Sequence, residues 1–168
     1  KKNKTIFEKP DFIIGVSNKV LEGIDNNSKV ISDWWNPKLL KFQKKNHKYA
    51  IAIGRLEKIK GFDLLISSWK NLNTKLLIIG SGQEKRNLKA LIEMNKLSEK
   101  VKIIENVKKD ELLKFYEDAS VLIVSSRDDG GPRVALEALF LEIPVLSTNV
   151  GNMENILPEE LLAKKNDQ

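Results

Sequence analysis

Cysteine is absent, and histidine occurs once in 168 residues. Without cysteine there is no disulfide frame and no thiolate chemistry, and a reducing compartment is the expectation. His47 lies in a polar stretch with no second ligand candidate beside it, so it reads as a surface residue and not as a metal ligand. No apolar run approaches the roughly 20 residues that a membrane-spanning helix needs, and no secretory signal is recognisable. No Asp-x-Asp pair stands at a predicted strand end, and Asp128-Asp129 alone is a poor metal site. A basic stripe with interleaved aromatics is also missing, so no nucleic-acid partner is expected. The first residue is Lys1, not an initiator methionine, and a fragment or processed chain is the expectation.

What is present describes an ordinary folded chain. Charged residues make up 31% and hydrophobic ones 41%, within the range of soluble globular domains, and the length is enough for one domain with a real core. The net charge of +6 is uneven. Residues 1–60 hold 14 Lys/Arg against 6 Asp/Glu (+8), and residues 61–168 hold 15 against 17 (−2). Basic surface of this kind meets phosphorylated ligands, anionic lipid or nucleic acid, or is simply solvated lysine.

Short apolar runs alternate with helical periodicities. Asp11–Val16 and Lys29–Ser32 read as strands, Ser17 as the cap of a helix through Leu21, and Lys38–Lys48 as a basic linker after Trp34-Trp35. Tyr49–Ile53 is a buried strand, followed by Phe62, Leu65, Ile66 and Trp69 at helical spacing. Lys75–Ile79, Val101–Ile104, Ser120–Val124 and Pro144–Ser147 are further strands. Between them lie helices marked by Leu88, Leu91 and Ile92, then by Leu112, Leu113, Phe115 and Tyr116 with Asp110 as cap, then by Val134, Leu136, Leu139, Phe140 and Leu141. The alternation predicts an α/β, Rossmann-like parallel sheet with helices on both faces.

In such sheets ligands bind beyond the carboxyl ends of the strands. Gly54-Arg55, Gly80-Ser81-Gly82, Asn106 and Asp129-Gly130-Gly131 all follow predicted strands, so four loops converge on one rim. Gly130-Gly131 precedes a helix that Pro132 is placed to start. Free backbone N–H groups and the helix dipole favour an anion there. Asp129 and Glu137 frame that turn, and carboxylates repel phosphate but accept hydrogen bonds from hydroxyls. A ligand with both phosphates and sugar hydroxyls suits the pair, although a plain helix start with an acidic first turn accounts for this stretch equally well. Arg55 and Lys60 bracket the first loop; together they form a plausible diphosphate clamp.

The ordered set of motifs resembles the retaining nucleotide-sugar glycosyltransferases of the GT-B fold, the glycosyl transferases group 1. Gly54-Arg55 with Lys60-Gly61 is similar to that family's G-R-x-x-x-x-K-G, and Gly80-Ser81-Gly82 to its next glycine loop. Val101–Ala119, Asp129–Val145 and Asn149–Glu154 resemble its later segments in the right order. Phe12–Ser17 resembles the last strand of the amino-terminal domain, and residues 29–37 the interdomain linker. The resemblance implies that residues 1–36 are the end of an amino-terminal domain with its linker, and that 37–168 are a carboxyl-terminally truncated donor-binding domain. It implies that Arg55 and Lys60 hold the donor diphosphate and that Glu137 takes the ribose hydroxyls. Asp129 and the Gly130–Pro132 backbone would meet the transferred sugar and phosphate, and Asn106 and Val107 lie where the base is held. Gly54, Gly80, Gly82, Arg133, Val134 and Leu136 complete the implied donor site, with Arg55, Lys60 and Asp129 as its catalytic members.

Three departures stand out: Asp129 replaces a glutamate, Gly131-Pro132 replaces Phe-Gly, and Glu142 replaces a glycine. The expectation is therefore the donor half of a metal-independent enzyme, inactive by itself. It would use a UDP- or GDP-sugar without any cofactor and reach a glycan or lipid-linked acceptor through the missing domain. The expected setting is cytoplasmic, with peripheral membrane association of the whole enzyme. Rival readings are a nucleotide-sugar epimerase of the same fold, a non-catalytic nucleotide-sugar binding module and a basic interaction domain.

Overall fold

The computed structural model describes residues 13–15, 28–30 and 48–164. The helix expected from Ser17, the Trp34-Trp35 pair, His47 and the linker through residue 47 lie outside the described residues. Two short strands, β1 (Ile13–Gly15) and β2 (Ser28–Val30), pair in parallel as a separate two-stranded sheet.

The main body starts at β3 (Tyr49–Ile53) and continues through α1 (Phe62–Ser68), β4 (Leu76–Ile79), α2 (Lys85–Met94), β5 (Val101–Ile104), α3 (Lys109–Glu117), β6 (Ala119–Val124), α4 (Arg133–Phe140), β7 (Val145–Thr148) and β8 (Leu162–Ala163). The six strands β3 to β8 are all parallel, in the order β5-β4-β3-β6-β7-β8. Strands buried on both faces of a parallel sheet must be apolar at every position, and β3 shows why its sequence suits the centre. Ala50 and Ala52 pack on one face with Phe62, Leu65 and Ile66 of α1 and Leu88 and Ile92 of α2. Ile51 packs on the other face with Tyr116 of α3 and Ala135 and Ala138 of α4.

The chain builds outward from β3 to β5, then returns through α3 and builds the other way from β6. Strand order therefore reverses between β3 and β6. The loops leaving their carboxyl ends diverge to opposite faces and leave a crevice, the usual ligand position of a doubly wound sheet.

Several local expectations need correction. Lys108, not Asp110, is the cap position of α3, and its backbone N–H donates to Glu111 Oε2 at 3.2 Å. Pro132 has an extended ψ of 95° and caps α4 instead of starting it. The fully buried side chains of α4 and its cap are Ala135, Ala138 and Leu141, whereas Phe140 is 45% exposed. Two alanines one turn apart let the helix lie close on the sheet, while Val134 and Leu139 pack part-buried at its flanks and Phe140 faces outward. The strand β8 was not anticipated; at two residues it is too short to carry a period.

Candidate functional site

The loop after β3 begins with Gly54-Arg55, buries Leu56 completely and closes in a 3-10 turn over Lys58–Lys60. Gly61 follows with φ 66°, and a Cβ there would lie 1.9 Å from the carbonyl oxygen of Ser125, just beyond β6. Only glycine lets the two loops touch backbone to backbone. Side chains then stitch them together. Ser125 Oγ donates to the Lys60 carbonyl at 2.9 Å, and the Arg127 N–H donates to the Ile59 carbonyl at 2.7 Å. Arg127 also grips Asp63 with both guanidinium nitrogens at 2.7 Å and donates to the Lys58 carbonyl. That bidentate pair, through its hydrogen bonds above all, lowers the Asp63 pKa and raises that of Arg127. On the far side, Thr148 Oγ1 donates to the Ser126 carbonyl at 2.7 Å, which anchors the same loop to β7.

This framework fixes the backbone of Lys60 and aims its side chain across the crevice. Lys60 Nζ donates to Asp129 Oδ2. Asp129 also accepts from the Gly131 N–H at 3.2 Å and from Ser126 Oγ at 3.4 Å. The side chains of Lys60 and Asp129 are 23% and 12% exposed, so the pair is set well into the crevice.

Two clefts open here. The first, about 480 Å³, is lined by Gly54, Arg55 and Lys60 from one side and by Ser125, Ser126, Asp129, Gly131, Pro132, Arg133 and Val134 from the other. The second, about 300 Å³, lies towards β4 and β5 and is lined by Gly80, Ser81, Asn106, Val107 and Leu112. Ile53, Gly54 and Arg55 line both. Gly80 approaches Gly54 so closely that a Cβ would lie 1.9 Å from the Gly54 oxygen, and Asn106 takes a left-handed φ of 55° at the end of β5.

Most of the expected site residues are thus brought together. Gly82, Gly130, Leu136 and Glu137 line neither cleft. Gly82 backs onto Leu56, the Gly130 oxygen meets Gly151, and Glu137 accepts a hydrogen bond from the Tyr116 hydroxyl at 3.1 Å. Arg55 reaches outward, 73% exposed, and donates to Glu57 at 2.6 Å. Sequence reasoning missed Ser125, Ser126, the Asp63–Arg127 brace and Tyr116. The only local signal was Ser125-Ser126 at the end of an apolar strand. Among the described residues there is no group of three or more His, Cys, Asp or Glu side chains placed to hold a metal, and no helix long and apolar enough to cross a membrane.

The model of the family described as glycosyl transferases group 1 matches residues 38–167. The chain belongs to that family. An uncharacterised glycosyltransferase of Methanocaldococcus jannaschii is 28% identical over 155 residues, which covers 90% of this chain and 44% of the relative. The amylovoran biosynthesis glycosyltransferase AmsD of Erwinia amylovora is 35% identical over 100 residues, covering 58% and 28%. Among solved structures, sucrose-phosphate synthase of Thermosynechococcus elongatus superposes with a TM-score of 0.85 at 23% identity, covering 96% of this chain and 47% of the other. Anabaena HepE, solved in complex with UDP and glucose, superposes at 0.81 with 17% identity, covering 93% and 50%. The fold is that of GT-B glycosyltransferases. The chain spans less than half the length of these curated relatives.

Proposed function

We propose that residues 37–168 form the nucleotide-sugar donor site of a glycosyltransferase, and that residues 1–36 belong to the end of the preceding domain and its linker. The observation that carries this is the pair of adjoining clefts at the strand-order reversal. One is cationic and glycine-lined; the other is smaller and bordered by Asn106 and Val107. A nucleoside diphosphate has the matching shape: base in the second cleft, diphosphate in the first. Likeness to a structure solved with UDP and glucose supports the same choice of ligand.

In the proposed reaction the bond between the anomeric carbon and the diphosphate oxygen breaks, and its electron pair leaves with the diphosphate. Arg55 and Lys60 stabilise that growing charge without help from a metal ion. The Gly131 backbone and Asp129 flank the transferred sugar. The acceptor hydroxyl, a glycan or lipid-linked group presented by the other domain, bonds to the anomeric carbon and passes its proton to the departing diphosphate oxygen, and the configuration at that carbon is retained. The whole enzyme would work in the cytoplasm or at the inner face of the plasma membrane.

Calorimetry of the chain with UDP, GDP and ADP, with and without EDTA, tests the proposal. At least one nucleoside diphosphate is expected to bind, equally well in EDTA, with no sugar transfer by the chain alone. Arg55→Ala and Lys60→Ala should each weaken binding by roughly 1.5–3 kcal/mol, the range for hydrogen bonds to charged groups. Lys60 should fall at the upper end, because its removal also leaves the Asp129 carboxylate uncompensated beside the diphosphate. Unchanged affinity in both variants would remove the clamp.

A further inference from the structure

We infer that Tyr116 is a positioning residue, which holds Glu137 in place to receive the two hydroxyls of the donor ribose. The inference rests on the donor site proposed above. Tyr116 is 2% exposed, and its hydroxyl donates to Glu137 Oε2 at 3.1 Å from the neighbouring helix. A buried phenol needs an acceptor, but a carboxylate is an expensive one, since it must be drawn part-way out of water. That choice is economical only if the carboxylate has a second task. Tyr116 occupies one of about four acceptor positions on Glu137, which leaves capacity for a vicinal diol.

The resemblance noted above implies that task for Glu137, to take the ribose hydroxyls, and its placement agrees. Leu112 lines the second cleft, and Tyr116 stands four residues later on the same face of α3. Arg133 and Val134 line the first cleft, and Glu137 stands four and three residues later on the same face of α4. Side chains on a helix lean towards its amino end, so Glu137 leans back towards the cleft residues. The Tyr116–Glu137 bond therefore joins α3 to α4 one turn in from where the two clefts meet. In any nucleoside diphosphate the ribose is bonded between base and diphosphate, so it has to lie at that junction. Burial, and then the charge of Glu137, push the Tyr116 pKa far up, so the hydroxyl keeps its proton and remains a donor.

The test uses the 168-residue chain and whichever of UDP, GDP and ADP binds best, beside the 2′,3′-dideoxy form of the same nucleotide. The wild-type chain should prefer the ribonucleotide. Tyr116→Phe should weaken the ribonucleotide about five- to ten-fold, the loss expected for a hydrogen bond to a charged group, and leave the dideoxy form unchanged. Glu137→Gln should also lose the preference. In a Tyr49→Phe background, Tyr116 is the sole tyrosine, and its ultraviolet difference spectrum should shift on binding the ribonucleotide but not the dideoxy form. That measurement stands even if Tyr116→Phe does not fold. Equal losses for both nucleotides, with no spectral shift, would mean that Tyr116 only holds the helices together and would overturn the inference. Discrimination by Glu137→Gln but not by Tyr116→Phe would overturn the role of Tyr116 and spare that of Glu137. No binding of any nucleoside diphosphate by the wild-type chain would overturn the donor site itself, and the inference with it.

Discussion

Asp129 takes three hydrogen bonds in the crevice, and the one from Lys60 brings a charge with it. On the proposed donor site, phosphates would compete with this carboxylate for the ammonium group. Asp129→Asn keeps an oxygen for the Gly131 N–H but removes the competing charge. The expected result is a nucleoside diphosphate that binds tighter by about 1 kcal/mol, the upper range for a solvent-accessible ion pair, and slower sugar transfer by the full-length enzyme. Calorimetry and a transfer assay check the two halves, and weaker nucleotide binding would show that Asp129 holds Lys60 in its productive place. Arg55, Lys60 and Asp129 are legible in the sequence because each sits beside a glycine that breaks an apolar run. Arg127 is not, because its partner Asp63 is 64 positions away. Tyr116 looks like any core aromatic until Glu137, 21 positions on, is seen beside it.

The elements themselves were largely readable, and their ends were not. Alternating apolar runs and helical spacings mark β3 to β7 and α1 to α4, because tertiary burial and local pattern agree there. Val134 and Leu139 of α4 and Leu141 at its cap do meet the core, but Phe140 is exposed and the most deeply buried positions are Ala135 and Ala138. Leucine and phenylalanine outweigh alanine in a hydrophobic count, while close helix-to-sheet packing favours the alanine. Helix ends show a different conflict. After α2, Lys96 N–H donates to the Glu93 carbonyl and Leu97 N–H to the Ile92 carbonyl; after α4, Glu142 N–H donates to Leu139 and Ile143 N–H to Ala138. Both are Schellman closures, and both place a residue other than glycine in the left-handed region, with φ 56° at Lys96 and at Glu142. The second is the position where the sequence departs from the family glycine. Lys96→Gly and Glu142→Gly should each stabilise the fold by about 0.5–1 kcal/mol, since the steric cost of a left-handed Cβ exceeds the added chain entropy. Urea unfolding measures this, and a loss of stability in both would mean that the side chains contribute more than the backbone strain costs.

On the scale of the whole molecule, the two tyrosines in the chain report on the fold together. Burial, with the charge of Asp118 second, pushes Tyr49 up to about 12, and Tyr116 is pushed up further. Both therefore stay protonated in the folded chain at a pH where unfolded tyrosine ionises, near 10. Their raised values favour the fold below pH 10, and that contribution is lost as pH rises from 10 through the folded values. Absorbance at 295 nm should show little phenolate at pH 10.5 in buffer and both groups ionised in urea; identical titrations would mean that neither ring is shielded.

The strand order has a further consequence during synthesis. The first strand of the main sheet, β3, is central, and its β6 neighbour pairs Tyr49 with Ala119, so one side of β3 waits for some 70 residues of chain to emerge. Until then it is an exposed parallel edge, which is slow to pair and prone to meet other chains. The join between β3 and β6 is the pairing of longest sequence separation in the main sheet, and it is also where the loops that form the crevice meet. On the donor site proposed above, a nucleoside diphosphate laid across those loops would bind only the closed form and so shift the balance towards it. Cellular donor would then act on the newborn chain as a ligand chaperone before it serves the same protein as a substrate.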